Sequence, residues 1–307
     1  MSILETICAE RRADTARRRR ERPPSSLGRA AGPPRPSLSA RGSAPGGAGR
    51  NGALPRTLLI AECKKASPSR GLLVADYDPV ALASSYERGG AGMISVLTEP
   101  RHFLGADEHL IAVRAAVHLP ILRKDFCVDA YQVLEAWSIG ADAVLFIAAA
   151  LSPAQLLELT AAARELDMAV LVEIHEETEL ACAIAAEPDA IGVNARDLRD
   201  FSVDGDRSRA LARLIPEGPL RVAESGMRSP DDASALRAAG YQGFLVGEAL
   251  ATAADPEKRV REFAAAIAKT PRGQSAERSE GERRSESSMG FAIVPNAPHA
   301  MPPGDAG

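Results

Sequence analysis

The sequence lacks three features that would each have assigned it to a class of proteins. Its four cysteines, Cys8, Cys63, Cys127 and Cys182, form no C-x-x-C pair, which argues against a disulfide framework and against a zinc site. No apolar run approaches the ~20 residues that are needed to span a membrane. The N-terminal stretch also lacks the apolar core of a secretory signal. We therefore expect a cytoplasmic protein that binds no metal and contacts no membrane.

Charge is distributed unevenly along the chain. Residues 1–56 contain 12 arginines and 4 acidic residues, whereas the whole chain has a net charge of −4. The arginine-rich block at 17–20 could bind nucleic acid, but no aromatic side chain is interleaved with it for base stacking. We interpret this block as the exposed face of a helix and expect no nucleic-acid partner.

Composition divides the chain into three parts. We expect an N-terminal extension at 1–56, in which a basic helix is followed by a Gly- and Pro-rich segment that could act as a lid. A catalytic domain is expected at 57–268. Residues 269–307 show no hydrophobic periodicity and are predicted to form a disordered tail.

Short β-prone runs alternate with helical stretches in the central part of the chain. The eight runs are at 57–62, 93–98, 119–124, 142–147, 169–174, 190–194, 220–225 and 243–247. The helical stretches have a period of about 3.6 residues, and Ser152 and Ser229 each precede a proline, which is typical of a helix start. Strands that alternate with helices form a parallel sheet, and eight of them close a barrel. The predicted fold is therefore an α/β protein with a single (β/α)8 TIM barrel.

Polar side chains follow most of the predicted strands. In a (β/α)8 barrel the active site lies at the C-terminal ends of the strands. The polar residues at these ends include Glu62, Lys64, Lys124, Glu173, Asn194, Arg196, Glu224, Ser225 and Glu248. Each of them alone could be an ionic group at the rim of the barrel. Because all of them converge on one face, they predict a single catalytic site.

Glycines at the ends of the seventh and eighth predicted strands indicate a phosphate site. Gly226 and Gly247 lie where the backbone has to approach a ligand closely. The loops after these two strands commonly bind phosphate in this fold, with N–H donors from a helix N-terminus. Ser67, after the first strand, could add a hydroxyl donor. The alternative is that both glycines serve only tight turns.

Seven segments, in order along the chain, resemble the signatures of the indole-3-glycerol phosphate synthase family. They are IAECKKASPSRG, ISVLTEPRHFLG, LRKDFCVDAYQVLEAWSIGADAVL, LVEIHEETEL, IGVNARDL, VAESGM and FLVGEAL. The opening MSILETICAERR also resembles the first helix of that family. The resemblance implies an enzyme of tryptophan biosynthesis that converts 1-(2-carboxyphenylamino)-1-deoxyribulose 5-phosphate into indole-3-glycerol phosphate, carbon dioxide and water.

The same resemblance implies roles for residues of the predicted site. Lys124 would be the main general acid, and Glu173 its partner in proton transfer. The remaining catalytic positions would be Lys64, Glu62, Asn194, Glu224 and Ser225. Binding of the phosphorylated small-molecule substrate would fall to Ser67, Arg196, Gly226, Gly247 and Glu248. Which of the two lysines acts in which step stays open.

The chemistry that the resemblance implies needs no cofactor. Loss of carbon dioxide restores the aromatic ring of the substrate, so the substrate is its own electron sink and neither pyridoxal nor thiamine is required. A lysine ammonium can protonate the ketone oxygen during ring closure, and paired Glu and Lys side chains can supply the acid and the base for dehydration.

Two other functions are compatible with the same residues. A Schiff-base aldolase-type lyase that acts on a sugar phosphate would also place a lysine at the end of a barrel strand. A barrel that only mediates protein interactions is the second alternative. We expect a monomer, and the sequence leaves open whether it associates with other enzymes of the tryptophan pathway.

Overall fold

Eight parallel strands close into a barrel in this computed structural model, which describes residues 2–28, 57–196 and 204–269. The Gly- and Pro-rich segment of the predicted lid, from residue 29 to residue 56, lies outside this part of the chain. The predicted tail also lies outside it from residue 270 onward.

The barrel strands agree with the eight predicted runs to within two residues at each end. They are β1 (Leu58–Cys63), β2 (Met93–Leu97), β3 (Ile121–Lys124), β4 (Ala143–Ile147), β5 (Ala169–Ile174), β6 (Ala190–Asn194), β7 (Leu220–Glu224) and β8 (Gly243–Val246). Each strand pairs in parallel with its neighbours in sequence, and β1 pairs with β8 to close the barrel. The prediction of a (β/α)8 TIM barrel is confirmed.

Helices surround the barrel strands. They are α1 (Ile3–Glu21), α2 (Pro79–Gly89), α3 (Asp107–Ala116), α4 (Ala130–Ser138), α5 (Pro153–Glu165), α6 (Leu180–Ala185), α7 (Gly205–Leu214), α8 (Pro230–Ala238), α9 (Glu248–Ala251) and α10 (Pro256–Ala268). Ser152 and Ser229 cap α5 and α8, as their Ser-Pro pairs predict. Within the described residues, no helix is both long enough and apolar enough to cross a membrane.

Alternation along the strands separates two apolar cores. On β1, Leu58 and Ile60 point into the barrel, where they pack with Leu122, Leu145 and Leu171. The intervening residues, such as Leu59 and Ala61, belong to the core between the strands and the surrounding helices. Because the inward-pointing set continues to the last residue of several strands, its final members are presented at one end of the barrel.

Helix α1 lies across the C-terminal end of the barrel. It begins at a capping box in which the side chain of Ser2 accepts a hydrogen bond from the backbone N–H of Glu5 and the side chain of Glu5 accepts one from that of Ser2. Ile7 and Cys8 of this helix pack into the barrel core. The helix therefore covers the end at which the polar strand termini emerge.

Candidate active site

A cavity of about 760 Å³ opens at the C-terminal ends of the strands. All twelve residues that the sequence analysis assigned to catalysis or to substrate binding line it. They are Glu62, Lys64, Ser67, Lys124, Glu173, Asn194, Arg196, Glu224, Ser225, Gly226, Gly247 and Glu248. The structure thus brings together residues from six different strands or the loops that follow them, in the place that the fold predicts.

Lys124 lies between two buried carboxyl groups at the centre of the cavity. Its Nζ is 2.9 Å from Oε2 of Glu173 and 3.3 Å from Oε2 of Glu224. Both carboxylates are almost fully buried, with 2% of each residue exposed. An ammonium group between two carboxyl groups, all removed from bulk water, is an arrangement in which protons can be exchanged among three groups.

The pKa values of these three groups are shifted in different directions from their ordinary values. Burial acts to lower the pKa of Lys124, but the negative charges of Glu173, Glu224 and Glu62 outweigh it, so that the pKa is raised and the amine stays protonated. Burial acts to raise the pKa of Glu173, but the charges of Lys124 and His175 lower it to about 2.

Glu224 behaves in the opposite way to Glu173. Burial raises its pKa, the charge of Lys124 only partly offsets this, and the charge of Glu173 raises it further, to about 8. Neither oxygen of Glu224 has a hydrogen bond of good geometry among the described residues. These opposite shifts favour an ionised Glu173 and a protonated Glu224 near neutral pH. Two neighbouring carboxyl groups with separated pKa values are typical of acid–base catalysis.

Asn194 links Glu173 to the end of the next strand. Its Nδ2 donates a hydrogen bond to Oε1 of Glu173 at 2.9 Å. Its Oδ1 accepts from the backbone N–H of Arg196 at 3.0 Å and from the hydroxyl of Ser225. Because Asn194 satisfies partners on β5 and after β7, it fixes the orientation of the Glu173 carboxylate relative to Lys124.

Two glycines leave space that carboxyl groups of the site occupy. A Cβ at Gly192 of β6 would overlap Oε1 of Glu224, and a Cβ at Gly247 would overlap Oε1 of Glu62. Gly192 was not anticipated from the sequence. Gly247 was predicted for its role near phosphate, and the structure adds a steric reason for a glycine there.

The loops after β7, β8 and β1 form one side of the cavity. Ser225 and Gly226 both have positive φ angles, of 65° and 80°, and make a tight turn after β7. The hydroxyl of Ser67 is buried and has no hydrogen-bond partner among the described residues. The side chain of Glu248 lies 2.9 Å from Nη2 of Arg70, so its carboxylate pairs with an arginine at the rim.

Apolar residues form another side of the cavity, and the sequence analysis missed them. Phe103 and Phe126 have ring centroids 5.9 Å apart, and Nζ of Lys64 lies 5.5 Å from the centroid of Phe103. Helix α1 adds Ile3, Leu4 and Ile7 to the lining. Phe126 follows Lys124 by two positions, so strand alternation continued beyond the end of β3 places it on the same inward side. This spacing is a signal in the sequence that could have indicated Phe126.

Buried ion pairs hold α1 on the barrel. Nη2 of Arg11 lies 2.6 Å from Oδ2 of Asp125, and both side chains are at most 3% exposed. Nε of Arg18 lies 2.8 Å from Oε1 of Glu135 on α4. The prediction that the arginine block is an exposed face is therefore wrong for Arg18, which is only partly exposed and pairs with a residue of α4. It holds for Arg17, Arg19 and Arg20, which are exposed.

No group of three or more His, Cys, Asp and Glu side chains is arranged to hold a metal ion in the part of the chain that the structure describes.

Comparisons with known proteins agree on one family. The sequence model of the family described as indole-3-glycerol phosphate synthase matches residues 4–263. "Indole-3-glycerol phosphate synthase 2" of Streptomyces coelicolor is 46% identical over 261 residues, which cover 84% of this chain and 97% of that relative. "Indole-3-glycerol phosphate synthase" of Laribacter hongkongensis is 46% identical over 257 residues, covering 83% of this chain and 95% of that relative.

Solved structures with lower sequence identity show the same fold. The 3-hexulose-6-phosphate synthase from Salmonella typhimurium superposes with a TM-score of 0.54 at 15% identity, over 69% of this chain and 99% of that chain. KGPDC from Streptococcus mutans gives a TM-score of 0.55 at 14% identity, over 69% of this chain and 97% of that chain. At this identity the likeness concerns the fold alone, whereas the family match extends along nearly the whole described chain. The chain belongs to the indole-3-glycerol phosphate synthase family.

Proposed function

We propose that the cavity binds 1-(2-carboxyphenylamino)-1-deoxyribulose 5-phosphate and that its polar residues catalyse ring closure, decarboxylation and dehydration. As a member of its family, the chain is a carboxy-lyase of tryptophan biosynthesis that forms indole-3-glycerol phosphate. The residues that perform each step are part of the proposal. Each part of the substrate has a matching side of the cavity.

The phosphate of the substrate is assigned to the side formed by the loops after β7, β8 and β1. The hydroxyl of Ser67, which has no hydrogen-bond partner among the residues that the structure describes, can donate a hydrogen bond to a phosphate oxygen. The turn at Ser225 and Gly226 brings backbone close to the same region, and the side chain of Arg228 also lines the cavity. Several donors and at least one cation therefore surround the proposed phosphate position.

The aromatic ring of the substrate is assigned to the apolar side. Phe103 and Phe126 offer ring faces and edges to a planar aminobenzoate group. Ile3, Leu4 and Ile7 of α1 exclude water at the end of the barrel that this helix covers. Lys64, close to Phe103, is a cation within reach of the carboxylate that the ring carries. This pairing of an apolar side with one cation fits a carboxylated aromatic ring.

Ring closure is assigned to Lys124. The ring carbon that bears the carboxylate attacks the ketone carbon, a C–C bond forms, and the carbonyl electron pair moves to the oxygen, which takes a proton from the Lys124 ammonium. The bond to the carboxylate then breaks, carbon dioxide leaves, and the electron pair restores the aromatic ring. Glu173, 2.9 Å from Lys124, stabilises the ammonium before transfer. Once Glu173 has taken up a proton in the later dehydration, it can pass that proton back to Lys124.

Dehydration requires one acid and one base. The hydroxyl formed in the first step leaves as water after it has gained a proton, while a base removes a proton from the adjacent carbon, so that the double bond of the pyrrole ring forms. Glu224, whose raised pKa favours the protonated form, is suited to donate, and Glu173, whose lowered pKa favours the carboxylate, is suited to accept. Lys64, whose Nζ lies 3.4 Å from Oε1 of Glu62, offers a second ammonium group as an acid.

One observation carries the proposal: Nζ of Lys124 lies 2.9 Å from the carboxyl group of Glu173 and 3.3 Å from that of Glu224, in a cavity with one apolar side and one donor-rich side. An aldolase-type lyase needs an uncharged lysine as its nucleophile. The raised pKa of Lys124, which burial opposes and the carboxylates cause, keeps its amine protonated and disfavours that alternative.

The test is an indole-fluorescence assay with the carboxyphenylamino substrate and the full-length protein. We expect an increase in indole emission and release of one carbon dioxide per turnover. Treatment with borohydride during turnover should leave the enzyme unlabelled, since no imine with lysine forms. Labelling of the protein by substrate and borohydride, without indole emission, would support the aldolase alternative instead. The monomeric state and the cytoplasmic location also remain proposals, to be tested by light scattering and by cell fractionation.

A further inference from the structure

His175 is a buried titratable residue beside the site that the proposed mechanism leaves without a role. It follows the end of β5 and lies two positions beyond Glu173, so both side chains leave the strand on the same side. Only 7% of its surface is exposed. It is not among the residues that line the cavity, so any influence on the reaction has to pass through a neighbour.

The imidazole of His175 lies between two carboxylates. Its Nε2 is 3.3 Å from Oε1 of Glu173, and its Nδ1 is 3.8 Å from Oε2 of Glu179. Oε2 of Glu179 also accepts a hydrogen bond from the backbone N–H of His175 at 2.7 Å, which fixes the position of the residue. Neither ring nitrogen has a hydrogen bond of good geometry within the described residues. Charge, more than a directed hydrogen bond, therefore connects the ring to Glu173.

The charged groups around His175 favour its protonated form. Burial acts to lower the pKa of the imidazole, but Glu179 and Glu173 outweigh it, and Lys124 on the far side of Glu173 only partly opposes them. The result is a raised pKa. Glu173 then has a cation on each side, with Lys124 at Oε2 and His175 at Oε1.

We propose that His175 is a positioning residue for Glu173: its positive charge holds the carboxylate in place and keeps it ionised after Lys124 has given its proton to the substrate. This inference rests on the proposed function. When Lys124 becomes neutral, Glu173 loses the cation at Oε2 and would otherwise take up a proton from its surroundings. The imidazolium at Oε1 remains, so Glu173 stays available as a base for the next step.

The inference predicts a specific dependence on pH. His175 is protonated below its pKa and neutral above it, so the contribution to turnover is present at low pH and is lost as pH rises through the pKa of His175. Gln carries an uncharged N–H donor and reproduces the neutral imidazole. At every pH, the kcat of the variant His175→Gln should therefore equal the kcat that the wild type has above the pKa of His175.

The kinetic experiment compares pH profiles of kcat and KM for the full-length wild type, His175→Gln and the control His118→Gln. The side chain of His118 is 81% exposed. His118 precedes the N-terminal end of β3, whereas the site lies at the C-terminal strand ends, so its replacement should change nothing. For His175→Gln we expect roughly a tenfold loss of kcat near neutral pH, the equivalent of about one pKa unit at Glu173, with KM nearly unchanged. Wild-type kcat and an unchanged pH profile in His175→Gln would overturn the proposal.

A second measurement keeps the test valid if His175→Gln folds poorly or if the enzyme has another substrate. The chain has five histidines, so the imidazole NMR signal of His175 can be assigned by its loss in the variant and titrated in the wild type. Replacing Glu173 by Gln removes one facing carboxylate and should lower the midpoint of His175 by about one pH unit. An unchanged midpoint would overturn the pairing, whereas absent turnover with a shifted midpoint would count against the proposed function alone.

Discussion

Nζ of Lys124 lies 2.9 Å from Oε2 of Glu173, although the two residues are 49 positions apart in the chain. They are on β3 and β5, which are separated in the barrel by β4. Both side chains point inward at the C-terminal ends of the strands, so they meet across the barrel interior and not along the sheet. Because this ion pair is buried, the charge of each partner stabilises the charge of the other.

Replacing Lys124 by Met should leave the fold intact and abolish most turnover. Met keeps the approximate length of the side chain but cannot donate a proton, and a general acid contributes about 10²–10⁴-fold to the rate. We expect a fall in kcat of this size in the indole-fluorescence assay. Lys65→Met is the matched control, because Lys65 follows β1 near the site but does not line the cavity. Activity of Lys124→Met within a few-fold of the control would remove Lys124 from the mechanism.

Glu224→Gln should change how stability depends on pH. Burial raises the pKa of Glu224 to about 8 in the folded protein, whereas an unfolded Glu has a pKa near 4.5. The folded state therefore binds the proton more tightly, and the wild type loses stability as pH rises from the unfolded to the folded pKa. Gln mimics the protonated form and removes this loss. Urea unfolding at pH 6 and pH 9 should show a smaller difference for the variant than for the wild type.

The activity of Glu224→Gln provides a separate test. If the protonated carboxyl donates the proton in dehydration, the wild type loses kcat as pH rises through about 8, and the variant is impaired at every pH because an amide is a far weaker acid. If Glu224 serves only as a neutral hydrogen-bond donor, Gln should preserve activity, and kcat of the variant should no longer fall at high pH. The pH profile of kcat distinguishes the two roles.

Gly192→Ala should damage the site without unfolding the barrel. The new methyl group would overlap Oε1 of Glu224, and because this atom is at the end of a side chain, the carboxyl can move. Its movement breaks the 3.3 Å contact with Lys124. We expect a drop in kcat of about tenfold or more. At Gly205, on α7, an added Cβ makes ordinary contacts, so Gly205→Ala is the control. Equal kcat in both variants would show that Gly192 has no such role.

Arg11→Met should loosen the attachment of α1 to the barrel. The substitution leaves Asp125 buried with Arg123 as its remaining cation, 3.3 Å away. Breaking a buried ion pair costs about 3–5 kcal/mol, and we expect the lower end because Arg123 remains. Urea unfolding measures the loss, with the exposed neighbour variant Arg12→Met as the reference.

The same variant should also affect substrate binding. Helix α1 supplies Ile3, Leu4 and Ile7 to the cavity, so loosening it should raise KM for the carboxyphenylamino substrate. A variant that is destabilised but keeps the KM of Arg12→Met would show that α1 stabilises the fold without contributing to the binding site.

The eight strands and the end at which the site forms were predictable from local pattern. Apolar runs of four to six residues alternate with helices of 3.6-residue period. Eight strands in such an alternation form a closed parallel barrel. The charged residues near the ends of the runs, such as Glu62, Lys124 and Glu173, were predictable as residues that line the cavity, because a buried strand end tolerates charge only where a partner or a ligand compensates it. The ordered family motifs assigned the chemistry.

The tertiary structure decided the contacts between residues that are distant in the sequence. The lowered pKa of Glu173 and the raised pKa of Glu224 follow from which of them has more cationic neighbours, and no spacing in the sequence encodes this difference. The glycine at Gly192 and the inward face of α1 are similar cases, because the volume left for a carboxyl group and the partner of Arg11 exist only after the barrel has closed. Sequence patterns report period and residue type, whereas charge state and free volume depend on three-dimensional neighbours. That is why the sequence alone determined the fold and the polar residues that line the cavity, but not their electrostatics.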